Sequence, residues 1–180
     1  MELLFAEVIA CKVRFRVPFV CQQCGKCCRN LAKVAVDPVK NIVYLDNPEL
    51  IKYVDVEKVL SELRKKDINH PVLIPCPFLE NNKCKIYPIR PETCRKFPLT
   101  EDEDLGIGCP ALNRLKIIID EIVKHLGCNK NFVTVNYCFK SEGEELKKIR
   151  ISKEVFSAFF SLNVTDEEVR LFLQLNEISK

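Results

Sequence analysis

At 180 residues, 47% hydrophobic and 29% charged, the chain is long enough for one domain, or one domain with an appendage, and has a soluble surface. Its net charge of +3 is small and dispersed, which gives no case for nucleic acid, and metal-bound thiolates would reduce it further. No apolar run approaches the length that spans a bilayer, and MELLFAEVIACKV, with Glu2 and Glu7 and no basic lead, is a poor signal peptide. The expectation is a cytoplasmic protein with reduced thiols, where disulfides are a minor use of cysteine.

In chain order, Leu3, Leu4, Val8 and Ile9 suit one face of a short helix or a buried strand. Over 12–17 the alternation is clean. Val13, Phe15 and Val17 lie on one side and Lys12, Arg14 and Arg16 on the other, which predicts a half-buried strand with a solvated charged face. Pro18 releases the chain into Cys21-Gln22-Gln23-Cys24-Gly25-Lys26-Cys27-Cys28-Arg29. Gly25 sits where a tight turn around a metal needs positive φ. In extended backbone Cys27 and Cys28 point to opposite sides, so both do not join Cys21 and Cys24 in one mononuclear tetrahedral site. A multi-metal cluster, two sites, or one spare thiol remain.

A short strand is expected over 33–36, turns at Asp37-Pro38 and Asn47-Pro48, and one or two packing helices over 48–66. His70, beside Pro71, reads as a solvated loop histidine. Residues 71–110 hold seven of the ten prolines and four cysteines, Cys76, Cys84, Cys94 and Cys109. Proline removes donors and fixes φ, so this stretch needs an organiser other than long ladders or helices. Short strands are expected over 72–74 and 85–87, with a turn at Glu80-Asn81-Asn82-Lys83 between them. The acidic run at 101–104 reads as a solvated loop, and Gly106 and Gly108 allow a tight return to Cys109.

Beyond Pro110 the apolar residues recur at helical spacing from Leu112 to Leu126, and Gly127 ends the helix. His125 suits the last turn of that helix. Phe132, Val133 and Val135 begin a strand or an extended link. Further helices are expected over 142–149 and 153–160, and a last one behind the capping box Thr165-Asp166-Glu167-Glu168. Phe156, Phe159, Phe160 and Phe172 read as helix-packing core. There is no phosphate-binding glycine loop, nucleophile elbow or His-Glu-x-x-His in the sequence.

Thiolate ligands two residues apart can turn both sulfurs onto one ion or cluster. The x2 spacings suit zinc. Iron–sulfur is supported by Cys21-x2-Cys24-x2-Cys27, which matches the first three ligands of the bacterial ferredoxin run, with Cys76-Pro77 and Cys109-Pro110 available as remote fourth ligands. Lys26, Arg29, Lys83, Lys85, Arg90, Arg95 and Lys96 crowd the cysteines. Arg90 and Arg95, flanking Cys94, are the candidates to offset the charge of a thiolate-rich centre and raise its potential.

The pattern CxxCGxCCR, then CPFL…CxIYxxRPxxCRxFP and a distal Cys-Pro, resembles the zinc- or iron-chelating CxxCxxCC family, also called the YkgJ-type cysteine-cluster family, over about residues 19–110. The resemblance implies metal ligands at Cys21, Cys24, Cys27, Cys28, Cys76, Cys84, Cys94 and Cys109. Members are often labelled iron–sulfur oxidoreductases, and flagellin lysine methylases carry a similar cysteine signature. Cys11, Cys128 and Cys138 lie outside the motif and read as buried small hydrophobes.

The expected fold is α+β. Residues 1–110 form a small irregular core organised by cysteine and metal, with short strands flanked by α-helices, and 111–180 a helical C-terminal segment packed on it. The expected function is an iron–sulfur protein, 4Fe-4S, that transfers electrons or supports a redox or methyl-transfer reaction beside a redox or enzyme partner protein, away from nucleic acid and membrane. The alternative is a zinc-stapled structural or interaction module without catalysis, or a zinc or iron chelator.

Overall fold

The structure, a computed structural model, describes residues 3–29, 32–36, 43–44, 53, 55–66, 72–74, 76–96 and 108–179. Asp37-Pro38, Asn47-Pro48, His70, the acidic run at 101–104 and Gly106 lie outside the described residues. The elements open with strands β1 (Leu3–Ala10) and β2 (Val13–Pro18), the short helix α1 (Lys26–Arg29), and strands β3 (Ala32–Val36) and β4 (Val43–Tyr44). Helix α2 (Val56–Lys65), strands β5 (Val72–Ile74), β6 (Leu79–Glu80) and β7 (Lys83–Cys84), and helix α3 (Glu92–Lys96) follow. The remainder is helix α4 (Pro110–His125), strands β8 (Val133–Lys140) and β9 (Ile149–Ile151), helices α5 (Lys153–Phe160) and α6 (Asp166–Leu175), and strand β10 (Asn176–Ile178). Helices with mainly antiparallel strands make the fold α+β. Among the described residues, no helix is long and apolar enough to cross a membrane.

The chain divides into two compact units, 1–22 with 98–180, and 23–97. The second is an insertion in the first, since both of its chain ends continue into the first.

In the first unit β1 is the middle of a three-stranded antiparallel sheet, in the order β2–β1–β8. Leu3, Leu4, Phe5 and Ala6 are buried in succession, which a strand covered on both faces requires, and this settles β1 as strand rather than helix. On β2 the expected alternation holds, with Phe15 and Val17 fully buried. Its charged face is not simply solvated. The Arg16 side chain is only 11% exposed and donates to Glu7 Oε2 at 2.9 Å and to the Lys147 carbonyl at 2.8 Å, and its guanidinium lies 5.2 Å from the Phe5 ring centroid. Burial works to raise the Glu7 carboxyl, but Arg14 and Arg16 outweigh it and hold it below its ordinary value.

Helix α4 forms where the periodicity places it, with Pro110 in its first turn, where a missing N–H costs nothing. Its buried face is Leu112, Leu115, Ile118, Ile119, Ile122 and Val123. Gly127, at φ +64°, closes it: the Gly127 N–H donates to the Lys124 carbonyl and the Cys128 N–H to that of Val123. Helix α6 begins with the expected capping box of Thr165 and Glu168. Phe159 and Phe172 are fully buried and stack with centroids 3.8 Å apart, while Phe160 keeps 39% of its surface exposed.

Three expectations for the first unit are corrected. No helix covers 142–149. Ser141 N–H donates to Glu144 Oε2, Gly143 takes φ +85°, and Ile149 then enters β9, which pairs in parallel with β10. Side-chain-to-backbone bonds and a left-handed glycine divert the chain where a charge-rich pattern suggested a helix. The strand after α6 has no counterpart in the periodicity. Cys11 and Cys128 are not separate packed thiols but a disulfide, with Cα atoms 5.8 Å apart and a separation of 117 positions in sequence. Cys138 does pack as expected, against Leu3, Phe5, Leu171 and Leu175; burial pushes its thiol up.

In the second unit β3 lies between β4 and β5, antiparallel to both, as the short strands expected over 33–36 and 72–74. Helix α2 lies within the expected helical span, with the Lys58 N–H donating to Asp55 Oδ1 at 3.0 Å. The expected strand over 85–87 is replaced. Leu79–Glu80 and Lys83–Cys84 form a small hairpin, and Tyr87–Ile89 is a turn of 3-10 helix with proline inside it.

Candidate metal centre

Of the eight motif cysteines, Cys21 and Cys109 belong to the first unit, and Cys24, Cys27, Cys28, Cys76, Cys84 and Cys94 to the second. Cys109 is buried and stands in extended backbone at the N-cap of α4, its carbonyl accepting the Asn113 N–H at 3.0 Å. Cys21 is half-buried.

The first cysteine loop of the second unit is shaped by two left-handed residues, Gln23 at φ +49° and Gly25 at φ +70°. The positive φ expected at Gly25 is present, and a further constraint accompanies it. A Cβ on Gly25 would overlap the Asn82 carbonyl oxygen and stand 2.8 Å from Leu79 Cδ1. The loop therefore lies directly on the hairpin of β6 and β7, which carries Cys84. Directly after Gly25 the chain turns into α1, so Cys27 and Cys28 are neighbours on helical and not extended backbone. The argument that sent their side chains to opposite sides falls with that geometry, because successive residues of a helix are about 100° apart.

The hairpin is itself a tight device. Asn81 and Asn82, at φ +48° and +65°, make the two-residue turn that matches strand twist, and asparagine tolerates the left-handed region better than most residues. Leu79 faces Cys84, the Lys85 N–H donates to the Phe78 carbonyl at 2.9 Å, and the Leu79 N–H to that of Cys76 at 3.0 Å. Cys76, buried, and Cys84, half-buried, are thus held at the base of one hairpin. Cys94 is half-buried in the one-turn helix α3.

The basic residues divide. Lys85 pairs with Glu80 at 3.0 Å and Lys96 with Glu92, both on exposed surface, so these two act as ordinary surface ion pairs. Arg90 lies with its guanidinium 4.1 Å from the Tyr87 ring centroid, and Arg95 is half-buried in α3.

Among the described residues, no three Cys, His, Asp or Glu side chains stand as a group that could hold a metal ion. The donor set is nonetheless of the right chemistry. It offers soft sulfur ligands on tight turns, brought to one hairpin by a glycine that leaves no room for a side chain, and such sites reach their final geometry when metal binds. Spacing identified the cysteines, and the turn signals identified Gly25 and the Asn81-Asn82 pair. The seating of Gly25 on Asn82 joins residues far apart in sequence, and neither spacing nor turn signals carry it.

Two cysteine-bearing stretches packed together by short turns define a cysteine-rich metal-binding protein. The family model of the CxxCxxCC zinc- or iron-chelating domain matches residues 20–111, about half of the chain, and the chain belongs to that family. No curated protein and no solved structure matches the chain.

Proposed function

We propose that the protein carries a cysteine-ligated iron–sulfur centre and exchanges electrons through it with a partner protein. The observation that supports this most is the seating of the Gly25 loop on the Asn82 hairpin, which joins the parts of the two cysteine stretches that lie in the second unit. Cys24, Cys27, Cys28, Cys76, Cys84 and Cys94 form the ligand pool there, more thiolates than one zinc ion uses. Cys21 and Cys109 complete the motif, and the metal content of their variants decides their part. An iron–sulfur cluster would supply reversible one-electron chemistry. The chain's own contribution is to fix the sulfurs on tight turns and to flank Cys94 in sequence with Arg90 and Arg95, cations of the kind that offset thiolate charge and raise the potential.

A zinc-stapled structural module is the second reading. It is favoured by the x2 spacing of Cys21, Cys24 and Cys27, the spacing of closed thiolate sites in which metal binding is coupled to folding.

Metal and acid-labile sulfide analysis of anaerobically purified protein separates the two. Iron with matching sulfide, and a reversible wave in voltammetry, are expected; zinc without sulfide would overturn the iron–sulfur reading in favour of the module. Cys24→Ser and Cys94→Ser should each lower metal content, and so should Gly25→Ala, which cannot keep the loop seated. Full stoichiometry in all three would remove the ligand assignment itself.

A further inference from the structure

Cys11 and Cys128 stand outside the motif, and their surroundings are unlike those of a passive staple. Cys11 and Lys12 form the two-residue turn between β1 and β2, at φ +47° and +70°. Turns of this kind favour asparagine and glycine because both residues lie in the left-handed region, to which neither cysteine nor lysine is suited. Cys128 donates the last N–H that closes α4 behind Gly127. The disulfide thus ties a hairpin turn in an unfavourable conformation to the cap of the unit's longest described helix. Access differs sharply between the two ends: Cys128 is 9% exposed, whereas Cys11 is on the surface. The covalent ring that the bond closes, residues 11–128, contains the whole segment matched as metal-chelating.

We propose that Cys11–Cys128 is a redox site distinct from the metal-binding cysteines: a clasp that a dithiol opens in the folded protein by attack at the sulfur of Cys11, the exposed residue of the pair. A thiolate of the dithiol bonds to Cys11 Sγ, the Cys11–Cys128 bond breaks, and Cys128 leaves as a thiolate that takes up a proton. The second thiol of the reductant then attacks the mixed disulfide, giving Cys11 as a thiol and the reductant as its own disulfide. Two electrons and two protons pass from the dithiol to the pair, and an oxidised dithiol drives the reverse. The Asn129 carbonyl oxygen, 3.8 Å from Cys128 Sγ, is placed to accept from the thiol that forms. Opening releases the strained turn from the helix cap and breaks the ring around the metal-binding segment. In a compartment that keeps thiols reduced, a disulfide of this accessible kind is a transient, redox-responsive one.

The test uses full-length, metal-loaded protein with dithiothreitol as the probe, alkylation to stop the reaction, and peptide mass spectrometry. Without reductant, peptides containing residues 11 and 128 should be cross-linked. Reduction should be proportional to dithiothreitol concentration, unchanged by urea well below the unfolding midpoint, and reversed by oxidised dithiothreitol. The reduced form should melt about 5–15 °C lower, as expected for loss of one long-range disulfide in a chain of this size. Alkylation of both cysteines without reductant would overturn the proposal, as would reduction that accelerates with urea, the mark of a bond opened only by unfolding. Cys11→Ser should keep the metal content of the unsubstituted protein, and loss of metal from a folded variant would overturn the separation of the two sites. If that variant does not fold, the metal content of the reduced unsubstituted protein gives the same reading.

Discussion

At the scale of single residues, Glu168 does two things at once. Its carboxylate accepts the Thr165 N–H at 2.7 Å, completing the cap of α6, and takes Arg114 of α4 in a two-point ion pair at 3.0 and 3.3 Å. It is 4% exposed, so its charge is stabilised by these partners and not by water. Burial works to raise its carboxyl, yet Arg114 and the Thr165 N–H prevail and hold it below the ordinary value of 4.5. A carboxylate with a depressed folded value stabilises the protein fully above its unfolded value. That contribution is lost as pH falls through the folded value. Glu168→Gln keeps the cap geometry but removes the charge, and should cost roughly 1–3 kcal/mol at pH 7. In urea unfolding at a series of pH values, the gap between the two proteins should close as the pH drops below about 4.5. A gap that persists unchanged into acid would show that the carboxylate charge contributes nothing there.

At the scale of elements, the signals that the sequence carries locally are those the structure honours. Thr165→Ala deletes one acceptor at the start of α6 and should destabilise the first unit by about 1 kcal/mol. Calorimetry would read this as a small drop in melting temperature, and an unchanged value would mean that the box is ornamental to a helix held by Leu171, Phe172 and Leu175 alone. The helices at 110–125 and 153–160, the strand β2 and the turn at Gly25 were legible for the same reason, since each is fixed by residues within a few positions of one another. The segment 142–149 was misread because its charge-rich pattern fits a helix, while its last residue, Ile149, is claimed by a parallel strand 27 residues further on. The partnership of Cys11 with Cys128 is equally remote, and nothing in the spacing of either cysteine marks it. For the candidate site, cysteine spacing gave the candidate donors. The backbone of α1, and with it the relation between Cys27 and Cys28, depended on a glycine seated on a hairpin more than fifty residues away.

At the scale of the whole molecule, the two units rest on different physics. The first has a hydrophobic core of its own, in which Val8, Phe15, Leu112, Ile122, Phe159 and Phe172 are essentially without exposure, and the Cys11–Cys128 bond adds a covalent tie. Apart from α2, the described elements of the second are short strands, one-turn helices and proline-bearing turns, which are marginal without an organiser. Metal removal should therefore act unevenly. In hydrogen exchange followed by mass spectrometry, a chelator added under non-reducing conditions should strip protection from α2, the β6–β7 hairpin and α3. Amides of β1, β2 and the body of α4 should keep theirs, because they are shielded by the first unit's own apolar core. Equal loss of protection in both units would mean that the metal holds the whole chain together, and an unchanged second unit would mean that its turns fold without metal.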